Sequence, residues 1–126
     1  MIQVICVNHG KNYTFEAVGH ASADETEEWR EICAAASVLD ATAAVLFEKT
    51  EELNAKIKRD EEKAAFGIAA VPKFEGAAQF CETTLMTILT GYMLLAEKHP
   101  ESVHVMMDWE DTDEAETGEK EGEDGE

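Results

Sequence analysis

The chain has 126 residues, enough for one domain with its own core. Asp and Glu total 28 against ten Lys and Arg, a formal net charge of −18. That balance excludes a direct nucleic-acid ligand, which needs a positive patch, and favours a basic peptide or protein as partner. The excess is uneven. Residues 108–126 hold 11 acids and one Lys, leaving 17 acids and nine bases, a net of −8, in residues 1–107. This divides the chain into a folded domain, 1–107, and an acidic tail, 108–126, too poor in apolar residues to fold.

The run 2–7 is continuously apolar and predicts a strand buried on both faces. Asn8-His9-Gly10-Lys11-Asn12 is turn chemistry, and 13–18 alternates as a second strand, so a hairpin is expected, closed by Gly19. An acidic stretch at 21–28 reads as a loop. A long helix is then expected from about 27 to about 59. Its stripe is Trp29, Ile32, Ala36, Leu39, Ala43, Leu46, Phe47 and Leu53, with acids at its start and Lys56, Lys58 and Arg59 at its end. A third strand is expected at 66–71, ended or placed on an edge by Pro72, with a short extended piece at 73–75. A second helix is expected over 77–98, apolar on more than one side and so either deeply buried or a subunit interface. A last strand at 103–107 completes an α+β fold, two layers, β-β-α-β-(β)-α-β, with two long helices on a mainly antiparallel sheet.

Three cysteines cannot all pair within one chain, which points to a reducing, cytoplasmic location. No secretory signal is visible, and the most apolar stretch, 85–96, is too short and too interrupted for a membrane span. Cys6 and Cys81 lie on apolar patterns and read as core. His9, His99 and His104 have no partners at metal-ligand spacing, and no glycine-rich phosphate loop is present, so neither metal nor cofactor is expected.

The chemistry concentrates in His20 and Cys33. His20 ends the second strand. Cys33, in Ile32-Cys33-Ala34-Ala35-Ala36-Ser37, is expected in a first helical turn, where unsatisfied N–H groups and the helix dipole favour a thiolate. An imidazole at the preceding strand end is placed to take the thiol proton. On composition alone Cys33 reads as a small core residue. Its place at a helix start is what argues for a nucleophile. Ser37 shares its face at i+4, to orient cysteine or substrate or simply to pack. Ala34, Ala35 and Ala36 are small, which suits close approach to a sheet or a substrate backbone, and Gly19 and Ala34 are expected to support the site or bind substrate beside Ser37.

Gly19-His20-Ala21, an interval of about a dozen residues, and then Cys33-Ala34-Ala35-Ala36-Ser37-Val38-Leu39 resembles the ribosomal-processing cysteine protease family, Prp. The stretch from Thr90 to Pro100 is similar to that family's second helix and its exit, and Met1-Ile2-Gln3-Val4 also fits. The resemblance covers roughly residues 1–107. It implies a homodimer and a cysteine endopeptidase that removes a short N-terminal extension from a large-subunit ribosomal protein, or that processes phage capsid proteins. It also implies His20 as general base, Cys33 as nucleophile and Ser37 as the family's serine. The chain departs from the pattern where Arg30 and Trp29 stand at the family's Asp and Gly, and Glu28 or Glu31 is the nearest substitute carboxylate. Two other readings fit the same residues: an inactive peptide-binding module with this fold, and an acidic partner of basic proteins.

Overall fold

The computed structural model describes residues 1–20 and 27–109. Five strands and two helices follow the order β1 (Ile2–His9), β2 (Asn12–Val18), α1 (Glu27–Lys49), β3 (Ala55–Asp60), β4 (Ala65–Ala70), α2 (Glu75–Lys98) and β5 (Val103–Trp109), with one 3-10 turn at Glu51–Leu53. The sheet order is β3-β4-β2-β1-β5. Three of its ladders are antiparallel, and β1 pairs with β5 in parallel. The α+β expectation of two helices on a mainly antiparallel sheet is therefore met.

Alternation along the strands sets the two layers. On β1, Ile2, Val4, Cys6 and Asn8 are buried, while Gln3 and Ile5 are exposed. Tyr13, Phe15 and Ala17 on β2 and Phe66, Ile68 and Ala70 on β4 point to the same side. The helices cover that side with Ile32, Ala36, Ala43, Ala44 and Phe47 from α1 and Ala77, Cys81, Leu85, Ile88, Leu89 and Tyr92 from α2. The expectation that β1 is buried on both faces is thus corrected: its apolar run is continuous, but only one face is covered. Cys6 and Cys81 are core, each 0% exposed. The helices approach closely at Gly91, where a Cβ would lie 2.6 Å from a Leu39 methyl. Leu94 (59% exposed) and Phe80 (42%) stay outside the core, so the second apolar side of α2 is uncovered in the single chain.

The first helix is ten residues shorter than its sequence pattern suggests. It stops at Lys49, and Asn54 turns the chain at φ 50° in the left-handed region. Leu53 is buried from the 3-10 turn, not from the helix. Lys56, Lys58 and Arg59 do not complement a helix end but lie on β3, which among the described residues is an edge strand paired only with β4. The extra strand is therefore 55–60, and 73–75 adds none. The last strand runs through Asp108 and Trp109, two residues beyond the expected domain end. The rest of the acidic tail and residues 21–26 of the acidic loop lie outside the described residues, whereas Glu27 and Glu28 belong to α1.

Gly19 closes the hairpin at φ +108°, with its N–H bonded to the Ala64 carbonyl at 2.9 Å. A Cβ there would collide with the Met1 carbonyl oxygen, and no side chain is comfortable at that φ. Gly19→Ala is expected to destabilise the domain by about 1–3 kcal/mol, read as a lower denaturation midpoint. An unchanged midpoint would contradict the tight closure described here.

Candidate active site

The site begins where β2 ends. Gly19 carries His20 out of the sheet, and α1 passes over the same end of the sheet. A helix advances 100° per residue, so positions 29, 33, 37 and 40 fall on one stripe. Ile32 and Ala36, beside that stripe, are buried at 1% and 7% exposure. The stripe itself therefore rides at the rim of the core, and Cys33 is half-buried rather than enclosed.

Gly19, His20, Cys33 and Ser37 line a single cavity of about 420 Å³. Of the residues singled out from sequence, Ala34 is the exception. It is exposed and lies off the cavity stripe, because one residue past Cys33 is a 100° turn away. Among the described residues no hydrogen bond joins His20 to Cys33. Trp29 also lines the cavity: it stands one turn before Cys33, and its ring centroid is 6.1 Å from that of His20, tilted by 32°. His20 itself is exposed.

The electrostatic expectation for Cys33 changes. In a helix that begins at Glu27, Cys33 is the seventh residue and not in the first turn. Its N–H is spent on the carbonyl four residues back, and the dipole's influence falls off within one turn. Cys33's own N–H is therefore committed within the helix. Neither substitute carboxylate lines the cavity. Glu28 pairs with His99 Nδ1 at 2.7 Å, tying the start of α1 to the end of α2. Glu31 is exposed, as is Arg30.

The carboxylate that does reach the cavity from α1 is Asp40, which the sequence did not single out. The Tyr92 hydroxyl, from α2, donates to Asp40 Oδ1 at 2.5 Å and also lies 3.3 Å from the Ala36 carbonyl. Tyr92 was legible only as part of an apolar stripe. Burial pushes the Asp40 carboxyl up to about 6, against the opposing pulls of the Tyr92 hydrogen bond and the Arg59 charge. The same burial, with the Asp40 charge beside it, pushes the Tyr92 phenol far above its usual range. The facing wall is the β3–β4 turn with Arg59, Asp60, Glu61, Ala64 and Ala65. Asp60 Oδ1 accepts the Glu62 and Lys63 N–H groups, and Ala64 sits at φ 50° where its carbonyl holds Gly19. Arg59 lies over the Phe66 ring at 5.7 Å. This wall was invisible while 55–59 read as helix. Among the described residues no group of His, Cys, Asp and Glu is arranged to hold a metal ion, and no helix is long and apolar enough to cross a membrane.

The sequence model of the family described as cysteine protease Prp matches residues 1–104. No curated protein matches the chain in sequence. Among solved structures, SMU.848 from Streptococcus mutans superposes with a TM-score of 0.70 at 20% identity, covering 87% of this chain and 96% of that one. The essential ribosomal processing protease Prp from Staphylococcus aureus, with a covalently linked product peptide, gives 0.66 at 22% identity, covering 87% of this chain and all of that one. A structure of the S. aureus protease with a substrate peptide gives 0.65 at 18% identity with the same coverages. At these identities the likeness speaks for the fold.

A carboxyl held above its unfolded value of 3.8 binds its proton more tightly when folded. Its effect on stability is therefore nil below about pH 4, becomes a cost that grows between pH 4 and 6, and is constant above that. Partial exposure reduces that cost to on the order of 1–2 kcal/mol. Asp40→Asn is expected to be the more stable protein at pH 8 and indistinguishable from wild type at pH 4, by thermal unfolding. A variant less stable at pH 8 would show that the charge is well compensated.

Proposed function

The chain belongs to the Prp family of cysteine proteases, and from that premise we propose that it is a cysteine endopeptidase acting through Cys33 and His20. The observation that carries the reading is the single cavity shared by the strand-end histidine and the helix cysteine. A peptide lies along the cavity, with residues 21–26 adjoining it in sequence. His20 takes the Cys33 proton, and the sulfur attacks the scissile carbonyl. The tetrahedral intermediate collapses as the imidazolium gives its proton to the leaving amine. A water, deprotonated by His20, then releases the acyl group from sulfur. Ser37, one turn beyond Cys33, positions the thiol or the substrate, and Gly19, packed under the Met1 carbonyl, fixes where His20 leaves the sheet. A Cys–His pair need not be bonded in the empty site, since such contacts tighten when substrate binds.

The substrate we propose is a flexible N-terminal extension of a ribosomal protein, or the equivalent segment of a phage capsid protein. The S. aureus structures with product and substrate peptides support a peptide ligand for this fold. We further propose a cytoplasmic homodimer, with the uncovered apolar side of α2, including Leu94, available to the contact. A second reading, a peptide-binding module that no longer cuts, is favoured by Arg30 at the family's acidic position.

Incubation with a synthetic peptide bearing the sequence of such an extension, followed by mass spectrometry, separates the two. Cleavage is expected, absent in Cys33→Ala and slowed at least about 100-fold in His20→Ala. Peptide bound but left intact by the wild type would establish the second reading, and cleavage persisting in Cys33→Ala would remove Cys33 as nucleophile.

A further inference from the structure

Building on the endopeptidase reading, we infer that Asp40 is a specificity-determining residue that receives a lysine or arginine side chain of the bound peptide, about three residues from the bond that is cut. The distance follows from the helix. Seven residues of α1 separate Asp40 from Cys33, about 10.5 Å along the axis at ~1.5 Å per residue. An extended peptide at ~3.3 Å per residue covers that span in about three residues. Both side chains line the same cavity, so a peptide whose carbonyl is at the sulfur has a nearby side chain at Asp40.

The charge calls for a cation. Asp40 is half-buried, and its hydrogen-bond donor is a neutral phenol, which satisfies one oxygen without cancelling the charge. Arg59 acts on it only through its field, with its guanidinium over the Phe66 ring. Asp60 has an oxygen committed to its own turn and is exposed. A carboxylate left in this state costs folding free energy, as the pull on its proton shows. It gains a partner when a substrate ammonium or guanidinium arrives. Ala36 and Ala41, small and flanking Asp40 on α1, leave room for the aliphatic stem of such a side chain. A substrate carboxylate in this place would meet Asp40, Asp60 and Glu61 and is disfavoured.

The test measures binding rather than cutting. Full-length Cys33→Ala protein is titrated with labelled peptides that differ only in carrying lysine, norleucine or glutamate at one position, scanned over four residues on each side of the scissile bond. At one position lysine is expected to bind at least tenfold more tightly than norleucine, with glutamate weakest. Adding Asp40→Asn, which keeps the shape and the acceptor for Tyr92, is expected to reduce the lysine advantage to threefold or less at that position alone. Attraction of every basic peptide to the acidic tail is common to both proteins and cancels in the comparison. A lysine advantage unchanged by Asp40→Asn, or no advantage at any position, overturns the inference. The two proposals fail separately. Lysine selectivity in a protein whose wild type cuts nothing supports Asp40 and sinks the endopeptidase, whereas cleavage without lysine selectivity does the reverse.

Discussion

The rotation of α1 about its own axis decides what this site contains. Ile32 and Ala36 fix it by sinking into the core at 1% and 7% exposure. With those two held, the stripe of Trp29, Cys33, Ser37 and Asp40 lines the cavity, with Ser37 exposed and the other three half-buried. A rotation of one residue, 100°, would bury the cysteine or lose it to the surface. The fold has only a narrow setting in which a thiol at this position is both supported and reachable.

Contacts distant in sequence hold that setting. At Gly91 the second helix comes close enough that a methyl group would strike Leu39. Tyr92, the next residue, reaches across to Asp40 and the Ala36 carbonyl. The His99–Glu28 pair ties the end of α2 to the start of α1. On the other side, Gly19 fits under the Met1 carbonyl and hangs from Ala64, which fixes where His20 leaves the sheet. The histidine and the cysteine thus belong to two differently anchored parts, joined in sequence by residues 21–26.

Much of the architecture was legible because its patterns are local. The hairpin showed in the alternation of Tyr13, Phe15 and Ala17 and in the Gly10 turn, and α2 in a stripe that Pro100 follows. The third strand was hidden. Leu53 continues the helical spacing of Leu46, so the pattern runs on through Thr50 and Asn54, where the backbone has already turned. As an edge strand with only Ala55 and Ile57 half-buried, β3 carries a weak alternation that basic side chains obscure. Losing that strand also hid the cavity wall that carries Arg59. His20, Cys33, Ser37 and Gly19 were found from spacing and likeness, and they line one cavity. Asp40 and Tyr92 were missed because their significance arises between helices: an acid on a helix and a tyrosine on an apolar stripe look ordinary until they touch.

Thiol alkylation in the native protein addresses the central claim most directly, because two enclosed cysteines serve as internal references for the half-buried third. Cys6 and Cys81 are fully enclosed, and burial pushes both thiols up, Cys81 to about 12. Iodoacetamide at neutral pH, with peptide mapping over time, should modify Cys33 well before the other two, and His20→Ala should slow Cys33 while leaving the others unchanged. Cys33 reacting as slowly as Cys6 and Cys81, or at the same rate with and without the imidazole, would contradict a histidine-activated thiol at the cavity wall.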